Sequence, residues 1–159
     1  MKYRILSNEE LRHLEKEFVH FLAVSGIDPP LWINIKENDT PRMLVLIEQF
    51  SEMVLEGALQ RVQHIELRRP KSVQVIQCLP DKMVLAGLSI APDSVINLTE
   101  TSDLQDLIAE KTTTKANYFM SEKPYTQSRE EDIFLMLETG FLITDAKLFE
   151  AFQRINQIK

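Results

Sequence analysis

The chain is poor in the residues from which covalent and metal chemistry are most often built. Among 159 residues there are one cysteine, three histidines, four glycines and one tryptophan. A single thiol, Cys78, excludes an internal disulfide and leaves a cysteine-based zinc site short of ligands, in keeping with a reducing compartment. Gly26, Gly57, Gly87 and Gly140 stand too far apart to form a glycine-rich phosphate loop. No run of 18 apolar residues occurs, and the opening Met1–Ser7 carries no apolar h-region before a helix-capping signal begins. The expectation is therefore a cytoplasmic protein without a membrane segment. Positive charge is also scarce: 18 Lys and Arg face 24 Asp and Glu, a net charge of −6 that opposes general attraction to nucleic acid. The local exception, Arg68-Arg69-Pro70-Lys71, falls at a strand end or turn and reads first as a solvated rim.

What the chain does have is the balance of one globular domain spanning residues 1–159, with 44% apolar and 26% charged residues. Its longest apolar stretch, residues 41–62, has helical periodicity. Met43, Leu46, Ile47, Phe50, Met53, Val54 and Ala58 share one broad face, and Val45, Leu55 and Leu59 form a smaller patch nearly opposite, beside Glu48, Glu52 and Glu56. A helix apolar on two sides is expected to be sandwiched, so the rest of the chain should pack around it.

On the N-terminal side, Ser7 with Glu10 fits a capping box and Leu6 with Leu11 a hydrophobic staple, predicting a helix from Asn8 to about Ser25 that ends at Gly26. Asp28 before Pro29 opens a short helix to about residue 37, and Asp39 or Thr40 caps the central one. Beyond Val62 the period changes to two. Gln63, Ile65 and Leu67 alternate with His64, Glu66 and Arg68 as in a half-buried strand. Ser72–Leu79 and Lys82–Ile90 complete an antiparallel meander, which the central helix is expected to cover. A helix capped by Ser102 follows, and Thr112–Lys115 break its pattern. Asn117–Met120 fit either a short strand or a packed loop. Ser128 with Glu131 caps a helix that stops at Gly140. Thr144 suits the cap of a last helix with Leu148, Phe149, Phe152 and Ile155 inward, the two forming a hairpin around Phe141-Leu142-Ile143. The fold class that results is α+β: an N-terminal helical cluster, a three-stranded antiparallel meander and a C-terminal helical hairpin.

Reactive constellations are few. His13-x-x-x-Glu17-x-x-His20 brings three possible metal ligands to one helix face, but opposite Leu14, Phe18 and Leu22, where the solvated side of an amphipathic helix belongs. Di-iron bundles use Glu-x-x-His twice, and the chain has it once. Cys78 becomes a nucleophile only with a histidine beside it, and His64 is on a strand that could be its neighbour; a lone Cys in an apolar strand more commonly packs as a small core residue. Trp32 and the patch Val45, Glu48, Glu52, Leu55, Glu56 and Leu59 remain as candidate interaction surfaces.

Met1-Lys2-Tyr3-Arg4, Ser7, Glu9, Glu10, Leu11, Glu17-Phe18, Phe21-Leu22-Ala23, Trp32, Ile35-Lys36, Phe50-Ser51, Glu56-Gly57, Pro70-Lys71-Ser72, Cys78 and Asp81-Lys82 together resemble a small family of uncharacterised Bacteroidetes proteins, a domain of unknown function. The resemblance implies a bacterial cytoplasmic origin and carries no catalytic residue. The functional expectation is a non-enzymatic module that binds a protein partner or a second copy of itself, with no cofactor and no nucleic acid. The alternative is a metal- or small-molecule-dependent enzyme whose site assembles from distant residues, either His13, Glu17 and His20 or Cys78 and His64.

Overall fold

The computed structural model describes residues 2–110 and 116–158. The chain forms two compact units, residues up to Gln60 and residues from Arg61 on.

The first unit is helical. Its opening segment is extended and hands over to α1 (Asn8–His13), whose Glu10 N–H donates to Ser7 Oγ at 3.1 Å as the capping box requires. The Glu10 carboxylate turns instead to Arg4, 3.0 and 3.2 Å from its two terminal amines, and that contact holds its pKa below the ordinary carboxylate value. The expected single helix is divided. Leu14 leaves helical geometry (φ −106°, ψ 24°), and α2 (Glu15–Val24) starts after it.

The end of α2 is a Schellman motif. Gly26 takes φ +79°, its N–H bonds the Ala23 carbonyl at 3.0 Å, and the Ile27 N–H bonds the Leu22 carbonyl at 2.8 Å. Leu22 and Ile27 then pack together, the apolar contact that accompanies this cap. Asp28 accepts from the Leu31 N–H at 2.9 Å and Pro29 holds the first position of α3 (Pro29–Asn38), so one five-residue stretch stops one helix and starts another. Asp39, hydrogen-bonded from Arg42 N at 3.2 Å, leads into α4 (Thr40–Gln60).

The second unit contains the expected meander: β1 (His64–Arg69), β2 (Ser72–Cys78) and β3 (Lys82–Ser89). The turns are Pro70-Lys71 and Leu79-Pro80-Asp81. Two strands then extend the sheet. After α5 (Thr101–Glu110), β4 (Asn117–Pro124) pairs with β3, so Asn117–Met120 belong to a strand. The break at Thr112–Lys115 lies outside the described residues. After α6 (Arg129–Glu138), capped by Ser128 Oγ, β5 (Leu142–Thr144) pairs with β1. The order is β4-β3-β2-β1-β5, antiparallel throughout. The link between the C-terminal helices, expected as a hairpin turn, is thus a strand, and α7 (Lys147–Ile158) follows it. Thr144 belongs to that strand, so Asp145 takes the capping role, accepting from Lys147 N–H at 3.0 Å. Ser102 is likewise no cap, since α5 already begins at Thr101.

On one face of the sheet Val73, Val75, Ala86, Leu88 and Tyr118 form a core with Leu104 and Leu107 of α5 and Phe149, Phe152 and Ile155 of α7. One further expectation changes with this topology. β1 is not half-buried, because His64 keeps 8% of its surface and Ile65 none. A β-strand alternates its side chains between faces, so its two sides are both covered at that end. At the β3–β4 contact, Phe119 lies across Gly87 so closely that a Cβ there would sit 2.2 Å from the ring, which is why that position takes glycine.

Candidate functional site

The reversal from α2 to α3 leaves an open apolar groove of about 370 Å³. One wall is the α2 face carrying Val19, Leu22 and Ala23; the other is Trp32 on α3, with Gly26, Ile27, Asp28 and Pro29 at the turn. The opening has a local cause. Opposite the large indole the wall is built from Ala23 and Gly26, and a Cβ added at Gly26 would meet nothing within 4 Å. Trp32 is fixed from behind by Phe18, edge-on at 5.2 Å, and the Lys36 ammonium lies 5.8 Å from its ring centroid. Phe18 and Phe21 in turn pack on Phe50 at 4.9 and 5.5 Å. Beside this groove Val19, Val24 and Ile33 keep 56%, 75% and 51% of their surface. The polar group of the lining is the Asp28 carboxylate, already hydrogen-bonded to the Leu31 N–H. Such a surface binds apolar groups by desolvation and supplies neither acid, base nor nucleophile.

The patch nominated on α4 is divided by the fold. Val45 stands exposed at 49%, Leu55 and Glu48 are part-buried, and Leu59 is buried. Glu52 and Glu56 serve the extended N-terminal segment, since the Lys2 backbone N–H donates to Glu52 Oε1 at 2.7 Å and the Tyr3 hydroxyl to Glu56 Oε2. Three residues after Tyr3, Leu6 N–H donates to Ser51 Oγ at 3.0 Å, both groups buried. Glu52 and Glu56 are therefore occupied from within the unit. On the broad face, Met53 and Ala58 prove exposed.

His13, Glu17 and His20 are all exposed, and the break at Leu14 puts His13 on a different helix from the other two. Among the described residues no group of three or more His, Cys, Asp or Glu is placed to hold a metal ion. Cys78 and His64 do not meet as a catalytic pair. His64 lies opposite Gln77 in the β1–β2 register, so Cys78 projects to the other face of the sheet. Burial pushes the Cys78 thiol up to about 11, with the Arg129 guanidinium a smaller opposing influence. That guanidinium donates to the carbonyls of Val62 and Cys78, and the Tyr125 hydroxyl to that of Leu79, its own pKa pushed up to about 12 chiefly by burial. These contacts fasten the segment before α6 to the end of β2. The basic run is engaged as well: Arg68 pairs with Glu66, and the Lys71 ammonium donates to the carbonyls of Ser94 and Ile96.

A family model described as a family of unknown function, DUF6495, matches residues 1–157. The chain belongs to this family. No curated protein and no solved structure matches the chain. Among the described residues of this DUF6495 chain, no helix is long and apolar enough to cross a membrane.

Of the groove residues, sequence reasoning singled out Trp32 alone. Val19 and Val24 stand one and two positions off the inward stripe of Phe18, Phe21 and Leu22. Apolar side chains off the stripe, just before a Gly-x-Asp-Pro turn, were the available signal.

Proposed function

We propose that this DUF6495 chain is a non-enzymatic, cytoplasmic protein-interaction module that seats an apolar anchor of a partner in the α2–α3 groove. The observation that carries the reading is the combination of an unfilled apolar groove with exposed valines on its flank and an indole braced from behind. Burying a leucine- or phenylalanine-sized anchor there is worth about 1.5–3 kcal/mol, enough for one hot-spot contact. The lone, buried Cys78 suits a reducing compartment.

Selection of helical peptides displayed on phage against the intact chain tests the reading, with Ala23→Glu as the counter-target. Ala23 is exposed, so the variant alters the groove without disturbing a buried side chain. The expected outcome is peptides with a bulky apolar anchor that are held by the wild type and lost on Ala23→Glu. Peptides held equally by both proteins would contradict it. Sedimentation over a concentration series then shows whether a second copy of the chain serves as the partner.

A further inference from the structure

The sheet face beneath α5 and α7 is apolar where Val73 and Val75 of β2, Ala86 and Leu88 of β3 and Tyr118 of β4 meet the helices, and changes character on β1. Alternation places His64, Glu66 and Arg68 on that same face, with Glu66 opposite Val75 and Arg68 opposite Val73. A charged pair thus stands where two aliphatic side chains would complete the layer. The Glu66 side chain keeps 13% of its surface and that of Arg68 31%. Apolar replacements of so shielded a pair are often neutral or stabilising, so the fold alone does not call for it.

The helices do not close over this pair. A cleft of about 350 Å³ opens above it, walled by Leu104 and Ile108 of α5 and by Leu148 and Ala151 of α7, with Asp145 and Lys147 at the mouth. β5 pairs with β1 only as far as Glu66, so Arg68 lies beyond the end of the edge strand. The Arg68 Nε donates to Glu66 Oε2 at 2.5 Å. Its two terminal amines have no acceptor among the described residues. A guanidinium anchored through Nε and open at its end is the donor pair that grips a carboxylate with two parallel hydrogen bonds. Lys147 adds a second positive charge. Glu66 and Asp145 oppose a dianion such as phosphate, while the leucine and isoleucine walls favour an apolar body.

We propose that this cleft binds a small apolar organic carboxylate, its carboxylate on the terminal amines of Arg68 and its body against Leu104, Ile108 and Leu148. A free apolar amino acid and a simple branched-chain acid share this chemistry. They differ in whether an ammonium reaches Asp145.

The intact chain, labelled at its Leu and Ile methyl groups, is titrated with L-leucine and with 4-methylpentanoate while methyl NMR spectra are recorded. Saturable shifts of Leu104, Ile108 and Leu148 are expected, with affinity on the order of 1 mM or tighter, and with Ile133 unmoved. Arg68→Lys, which keeps the charge and loses the fork, should weaken binding about tenfold. If that variant fails to fold, Lys147→Gln at the exposed mouth should weaken it about threefold. Tighter binding of leucine supports the proposal with an amino acid as ligand; equal or tighter binding of 4-methylpentanoate supports it with a plain acid. Absence of saturable shifts with both probes, or an unchanged affinity in the folded variant, overturns it.

Discussion

In residues 61–158 the bulky side chains Tyr118, Phe149 and Phe152 are enclosed between a five-stranded sheet and its helices. In residues 2–60 the aromatic side chains Phe18, Phe21 and Trp32 are only part-buried and gather around Phe50, which is fully buried. Helices α2 and α3 bury one residue each, Leu22 and Ile35. A sheet presents a continuous apolar face that two helices can seal, whereas two short helices joined by a tight reversal touch along one line and leave their flanks open. The difference separates where the chain stores stability from where it offers an apolar surface. The sheet unit opens where the face turns polar, at Glu66 and Arg68.

Truncations should measure that difference. Phe152→Ala empties a fully enclosed site and is expected to cost about 3–5 kcal/mol, read from urea unfolding. Trp32→Ala removes a larger side chain but one already facing an open groove, so about 1–2 kcal/mol is expected. Equal losses would break the contrast.

Next in size is Ser51→Ala. The helical unit depends here on a polar contact rather than on packing: the buried Leu6 N–H would lose its acceptor, at a cost of about 1–3 kcal/mol. Hydrogen exchange of the Leu6 amide should accelerate in the same variant. A Ser51→Ala protein as stable as the wild type would show that the N-terminal segment is not held by this bond.

The smallest effect is one of pH. Burial, opposed by the nearby Glu150 and Asp145 carboxylates, sets the His64 imidazole below its ordinary value of 6.5. As the pH falls below that value, the unfolded chain takes up a proton that the folded chain refuses, so stability declines until the folded imidazole itself is protonated. The urea midpoint should therefore drop as the pH is lowered through the ordinary imidazole value of 6.5, and His64→Gln should remove part of that slope. The same slope in wild type and variant would mean that His64 does not contribute.

The helix ends were legible in the amino-acid sequence because capping is local: Ser7, Asp28 and Ser128 each bind a backbone N–H three residues ahead. The meander was legible because its turns join neighbouring strands. β5 was not, since three residues carry no period and their partner is His64–Glu66, far back in the chain. The polar side of β1 was read as facing water for a related reason, as α5 and α7 arrive only from later sequence. On α4, alternation of apolar and acidic residues suggested a free patch; the groups that occupy Glu52 and Glu56 come from Lys2 and Tyr3, about fifty positions away. Of the groove, Trp32 was visible as a surface aromatic, but its opposing wall depends on the angle at which the Gly26–Asp28 turn reverses the chain.

The most direct test of the interaction reading uses Trp32, the only tryptophan of the chain, as its own reporter. A peptide selected on the wild type is titrated while the indole emission is followed. A saturable blue shift in the wild type, absent from Ala23→Glu, is the expected result. Binding that leaves the Trp32 emission unchanged would place the partner elsewhere and contradict the account.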